Sequence, residues 1–203
     1  MMRKIAIAAL IALAIGPALA QTPPAGMPTR IRGTVDKLDS QKLLVKSRDG
    51  QTLTIELAAN VAVITLVKKS VADIKAGDYV ASTGVKGTDG KIHAVEVRIF
   101  PEAGRGTGEG QFPWDLMPDS IMTNATVGKV DLAPQGPVLH VTFKGTESEY
   151  TIGPDVPVLA NGPGDISLLK PGVAVFVIAL KHEDGKLTSS RLYAEKDGIK
   201  PPM

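Results

Sequence analysis

Four carboxylates and two aromatic rings fall in one short stretch of an otherwise aliphatic chain: Glu102, Glu109, Asp115 and Asp119 flank Phe112 and Trp114 within residues 101–122. Three chemistries suit such a stretch. Carboxylates gathered together would hold a hard cation, but calcium takes six to eight oxygens and the spacing here fits no EF-hand or other loop pattern. Gly104, Gly106, Gly108 and Gly110 alternate with Arg105, Thr107 and Glu109, which could form a backbone nest for an anion. No Lys-Ser/Thr pair follows them, and Pro113 interrupts any helix that would supply a terminus, so neither phosphate-binding fingerprint is met. A close-packed crossing loop is the simpler use of the glycines. Trp114 suits either a stacking platform for a sugar or peptide or a seal between two small cores. The candidate ligand-binding set is therefore Glu102, Arg105, Glu109, Trp114 and Asp115, with Arg105 also placed to pair with Glu102 or Glu109.

Elsewhere the chain offers little reactive chemistry. His93, His140 and His182 have no second His or Cys at ligand spacing, and His93, sharing parity with Val95 and Val97, is expected at the mouth of a barrel. Met117 and Met122 are too few for a soft-metal site. There is no nucleophile elbow, and the histidines lack an evident Ser or Asp partner. No catalytic residue and no cofactor is expected.

The elements that must position these residues read as a repeat. A shift of 95 residues carries Gly33 onto Gly128, Val35 onto Val130, Val61 and Val63 onto Val156 and Val158, and Asp89-Gly90-Lys91 onto Asp184-Gly185-Lys186. Leu43 and Val45 meet Leu139 and Val141 only after a slip of one, which predicts a longer turn or a bulge in the second copy. Apolar residues at every second position (Ile31, Gly33, Val35; Leu53, Ile55, Leu57; Val95, Val97, Ile99) predict half-buried strands, and Asp-Gly pairs supply the hairpin turns. Only 69–75 and 164–170 look helical, for one or two turns. Five strands with one short excursion between the third and fourth predict a small barrel of the oligonucleotide/oligosaccharide-binding (OB) kind. The expected fold is all-β: two tandem five-stranded OB-like barrels, 29–100 and 123–197, joined by the linker 101–122.

Residues 1–20 combine Arg3 and Lys4, an apolar run, Gly16-Pro17 and Ala18-Leu19-Ala20, which reads as a cleaved secretory signal; 21–28 is a Pro-rich tether. The apolar run is shorter than the ~20 residues that cross a bilayer, and no other stretch comes closer. The full chain has 23 basic and 21 acidic residues; without Arg3 and Lys4 the charges balance, which argues against nucleic acid as a partner. There is no cysteine, so stability rests on packing.

Arg32-Gly33-Thr34-Val35, the run from Asp49 to Leu57, that from Asp73 to Gly84 and that from Asp89 to Phe100 resemble the bacterial DUF5666 domain, and the second half is similar but more diverged. The resemblance implies an exported OB-like module of unassigned function and assigns no catalytic residue. The expected function is a periplasmic or secreted, non-enzymatic binding module for a periplasmic protein or small polar ligand. The alternatives are a divalent-metal-binding accessory protein that uses the linker carboxylates and a carbohydrate-active enzyme.

Overall fold

The computed structural model describes residues 26–134 and 136–202. The signal-like segment 1–20 and residues 21–25 of the tether lie outside the described residues. The chain is all-β, and three single 3-10 turns, Val71–Asp73, Glu102–Gly104 and Ile166–Leu168, are the helical pieces among the described residues. Two of them fall inside the helix-like stretches expected at 69–75 and 164–170. The first strand begins at Met27, two residues before the expected start at Thr29, because the end of the tether pairs with a distant strand (Met27 with Lys181).

Five strands close one barrel: β1 (Met27–Asp39), β2 (Lys42–Ser47), β3 (Thr52–Lys69), and two that follow much later and are named here by their place in the chain, β11 (Ala174–Lys181) and β12 (Leu187–Ala194). β1 pairs with β2 and β11, β2 with β3, β11 with β12, and the parallel pairing of β12 with β3 closes the ring. Alternation supplies its core: Leu43, Val45, Ile55, Val175, Val177, Ala179 and Leu192 are fully buried. Each large aliphatic side chain so buried contributes roughly 1.5–3 kcal/mol.

The remaining main strands form a second ring. β4 (Tyr79–Lys86) lies between β5 (Ile92–Ile99) and β7 (Ser120–Ala133), β8 (Gly136–Phe143) joins β7 to β9 (Thr146–Thr151), and two parallel pairs, Ile92 with Tyr150 and His93 with Thr151, join β5 to β9. Val80, Val97, Leu139, Val141 and Tyr150 fill it. The Tyr150 hydroxyl lies 2.5 Å from Thr123 Oγ1, so its polar end is satisfied inside the core.

The expectation that each half of the sequence closes its own barrel is corrected by these pairings. Each ring takes three strands from one half and a two-strand hairpin from the other. The physical cause is β3, whose 18 residues run without a turn. It carries the chain straight out of the first ring, so the β4–β5 hairpin lands on the second. β10 (Val158–Pro163) crosses it antiparallel, from Val158 opposite Lys69 to Pro163 opposite Ile64. At the centre of the crossing Leu66 faces Asn161, two positions separated by the 95-residue shift. The closures correspond in the same way: Leu192 beside Val63 in one ring, Val97 beside Val158 in the other.

Bulges set the local details. β7 skips Gly128 between Val127 and Lys129 against β8, and β1 skips Asp36 between Val35 and Lys37 against β2, so a bulge does not distinguish the second half; its hairpin is instead longer past the bulge, paired over Lys129 to Ala133 against Lys37 to Asp39. β5 skips Val95 between Ala94 and Glu96 against β4. That bulge inverts the parity on which His93 was expected at a barrel mouth: Ala94 and Val97 are buried, and His93 is exposed, with its Nε2 3.1 Å from the Asp89 carboxylate.

Candidate functional site

The linker is a strap whose charged groups Glu102, Arg105, Glu109 and Asp115 find partners within the chain, although the buried Asp115 Oδ1 accepts no hydrogen bond. Its short strand β6 (Gly110–Pro113) lies on β7 of the second ring, and the residues after it reach β1 of the first. There Asp115 Oδ2 accepts a hydrogen bond from Arg32 Nη1 at 2.7 Å, Oδ1 lies 3.8 Å from Arg30 Nη1, and Arg48 Nη2 donates to the Asp115 carbonyl at 2.8 Å. The Arg32 side chain is only 2% exposed. A guanidinium so removed from water needs partners, and its Nε also donates to the Pro202 carbonyl at 3.1 Å. Burial works to raise the Asp115 pKa, but the hydrogen bond and charge of Arg32, with Arg30 behind them, outweigh it and hold the group below 3.8.

Trp114 is half-buried at this junction. Arg30 Cζ sits 4.1 Å from its ring centroid, and Phe112 and Phe176 meet it edge-on at 6.0 and 6.3 Å. Behind it Leu66, Leu159, Phe176 and Tyr193 form a small core beside the strand crossing. Trp114 thus seals a junction, with a cation over one face.

The structure does not bring the candidate set together. Glu102 is paired twice with Arg105, both contacts at 2.6 Å, and Arg105 Nη2 also donates to the Gly77 carbonyl at 2.9 Å. The bond to Arg105 lowers the Glu102 pKa. Glu109 Oε1 accepts from the Lys144 amide at 2.8 Å. Within the Gly-rich loop Thr107 N donates to Gly104 O and Glu109 N to Gly106 O, while Asn124 Nδ2 and the Tyr79 hydroxyl hold the Thr107 carbonyl. Asp119 is exposed. Among the described residues no group of three or more His, Asp or Glu is arranged to hold a metal ion. The nearest approach to such a group is His140, whose ring nitrogens each lie 3.0 Å from a carboxylate, Asp131 and Glu149; the adjacent strands β7 and β9 supply these partners, which sequence spacing could not show. His182 Nε2 lies 2.8 Å from Thr188 Oγ1.

An open surface remains on the first barrel, away from the strap. β3 and β12 pair at Leu57–Ser189 and again at Ala62–Arg191, so four residues of β3 stand against one of β12. Among the described residues Ala58 to Val61 take no ladder partner on either edge, since β2 begins with Lys42 opposite Glu56 and β10 ends with Pro163 opposite Ile64. The separation leaves a cleft of about 820 Å³ with Leu57, Ala62, Ala179 and Leu180 in its lining and Lys42, Glu56 and Arg191 among its polar groups. Ser189 Oγ fixes the β12 side, 2.8 Å from the Ile178 carbonyl and 2.9 Å from that of Arg191. Thr188 and Ser190 add two more hydroxyls to the lining, and the Thr188 hydroxyl is the one held 2.8 Å from His182 Nε2. The trace in the sequence is slight: Ala58-Ala59-Asn60 breaks the alternation that Leu53, Ile55 and Leu57 establish.

No family model, no curated protein and no solved structure matches this chain. No helix among the described residues is long and apolar enough to cross a membrane.

Proposed function

We propose that the protein is an exported, non-enzymatic binding module akin to the DUF5666 domain, built as two OB-like barrels that exchange their last two strands, and that it takes its ligand or partner in the cleft between β3 and β12. The observation that carries this reading is the separation of β3 from β12 over Ala58 to Val61, which opens apolar lining and unpaired backbone together. OB-like barrels bind on a strand face and its flanking loops, and Gln41, in the turn between β1 and β2, borders the cleft. The ring order supports the OB-like assignment: strands one, two and three of a unit followed by five and four, with a parallel closure between three and five.

The reading based on linker carboxylates gains no support from the geometry, because Glu102, Glu109 and Asp115 each serve a different internal partner. Titration of the isotopically labelled chain with peptide and oligosaccharide fragments tests the proposal. Binding fragments should shift the amides of Leu57, Ala58, Ala62 and Arg191, and Ala62→Arg, which fills the cleft, should abolish the response. Shifts confined to Trp114 and its neighbours, or produced there by calcium or magnesium alone, would overturn it. Export is tested by cell fractionation with mass analysis for cleavage after Ala20.

A further inference from the structure

Resting on the cleft reading above, we infer that the occupant is an extended polypeptide segment that adds as a strand to Ala58–Val61, held by main-chain hydrogen bonds. Unpaired strand edges are templates for further strands, and the two rings leave few of them. This one is bordered on one side by the start of β2 and the end of β10, and on the other by the gap against β12. The side chains are small where another backbone must approach: Ala58, Ala59 and Ala62. Ala59 and Asn60 are exposed, and Ala58 and Val61 half-buried.

The second ring supplies the contrast. At the corresponding positions it has Gly153-Pro154-Asp155-Val156, outside any strand, followed by Pro157. Pro154 replaces Ala59 and Pro157 replaces Ala62, each removing an N–H donor, and the Pro157 carbonyl is taken by the Val97 amide at 3.0 Å. A cleft of about 610 Å³ lies at this place in the second ring as well, but its backbone is donor-poor where that of the first ring bears donors. Lys42 and Arg191 against Glu56 give the lining one positive charge in excess, so side chains of the added strand that meet this rim are acidic or neutral.

The probe is a synthetic octapeptide of alternating Val and Thr with an Asp at each end, compared with an analogue N-methylated at alternate residues that keeps every side chain. Binding of the plain peptide to the full chain should shift the amides of Ala58 to Val61 and slow their hydrogen exchange. The analogue, deprived of its donors, should bind about tenfold or more weakly, and Ala59→Pro should weaken the plain peptide similarly while leaving the spectrum of the second ring unchanged. Equal binding of both peptides in the cleft would overturn strand addition and leave the cleft as a side-chain site. Binding outside it, or by neither peptide, would also overturn strand addition, while the fragment titration separately decides whether the cleft binds at all.

Discussion

Arg32 holds the strap to the first barrel, because a guanidinium with a 2% exposed side chain depends on Asp115, the carboxylate that reaches it among the described residues. Replacing Asp115 by Asn should cost about 1–2 kcal/mol at neutral pH, between the ranges for exposed and buried ion pairs, as read by denaturant unfolding. The pKa of Asp115 is lowered on folding, so its contribution is fully present above the unfolded value near 3.9 and is lost as pH falls through the folded value. The stability difference between the native chain and Asp115→Asn should therefore shrink as pH drops below about 4, and a difference that is constant down to pH 2 would show that Asp115 is not held as an ion. Trp114→Ala, at a half-buried ring, should cost about 2 kcal/mol, less than the ~3–5 of a fully buried aromatic; water-like Trp fluorescence with an unchanged melt would contradict the seal. The sequence singled out Trp114 and Asp115 but not Arg30, Arg32 and Arg48. Arg30 and Arg32 alternate with Ile31 and Gly33 on a strand, and alternation makes such residues look like a solvent face. Only the strap folded over β1 makes that face an interior one.

At the scale of elements, two glycines that the 95-residue shift aligns in the sequence do different work. Gly33 sits in register between Ser47 and Val175, and a Cβ there would collide with the Lys46 carbonyl oxygen. Gly128 is skipped by the β7 bulge, and a Cβ would meet nothing nearer than the His140 carbonyl at 3.7 Å. Gly33→Ala should thus cost at least the ~1–3 kcal/mol typical of overpacking, whereas Gly128→Ala should stay within about 0.5 kcal/mol of the native chain. Equal effects in thermal unfolding would contradict the assigned bulge. Strand positions were legible because period two persists through Ile55 and Leu57 or Val175 and Val177. Facing was not legible across a bulge: the skipped Val95 turns His93 outward, and nothing in the local sequence marks that skip. The cleft was hidden for the same reason, since Ala58-Ala59-Asn60 reads as a weak piece of strand rather than as a place where a partner strand leaves.

For the whole molecule, the 95-residue self-similarity of the sequence made the strands legible and concealed which half supplies which hairpin. Val63 can be closed by Leu192 or by Val97 with nearly the same side chains, so no propensity distinguishes a tandem pair from an exchanged one. The long unbroken β3 and its antiparallel crossing with β10 decide it. The strap then ties the two rings at Trp114 and Asp115, and the cleft lies where β12, with its bulge at Ser189, leaves the edge of β3. The exchange is accordingly the central claim. It is tested most directly by cross-strand nuclear Overhauser contacts in the isotopically labelled full chain at a concentration where it is monomeric. The exchanged arrangement predicts contacts of Ile31 with Val177 and of Val63 with Leu192. Contacts of Ile31 with Ser82 and of Val63 with Val97, in their place, would show each half closing its own barrel and would contradict the account.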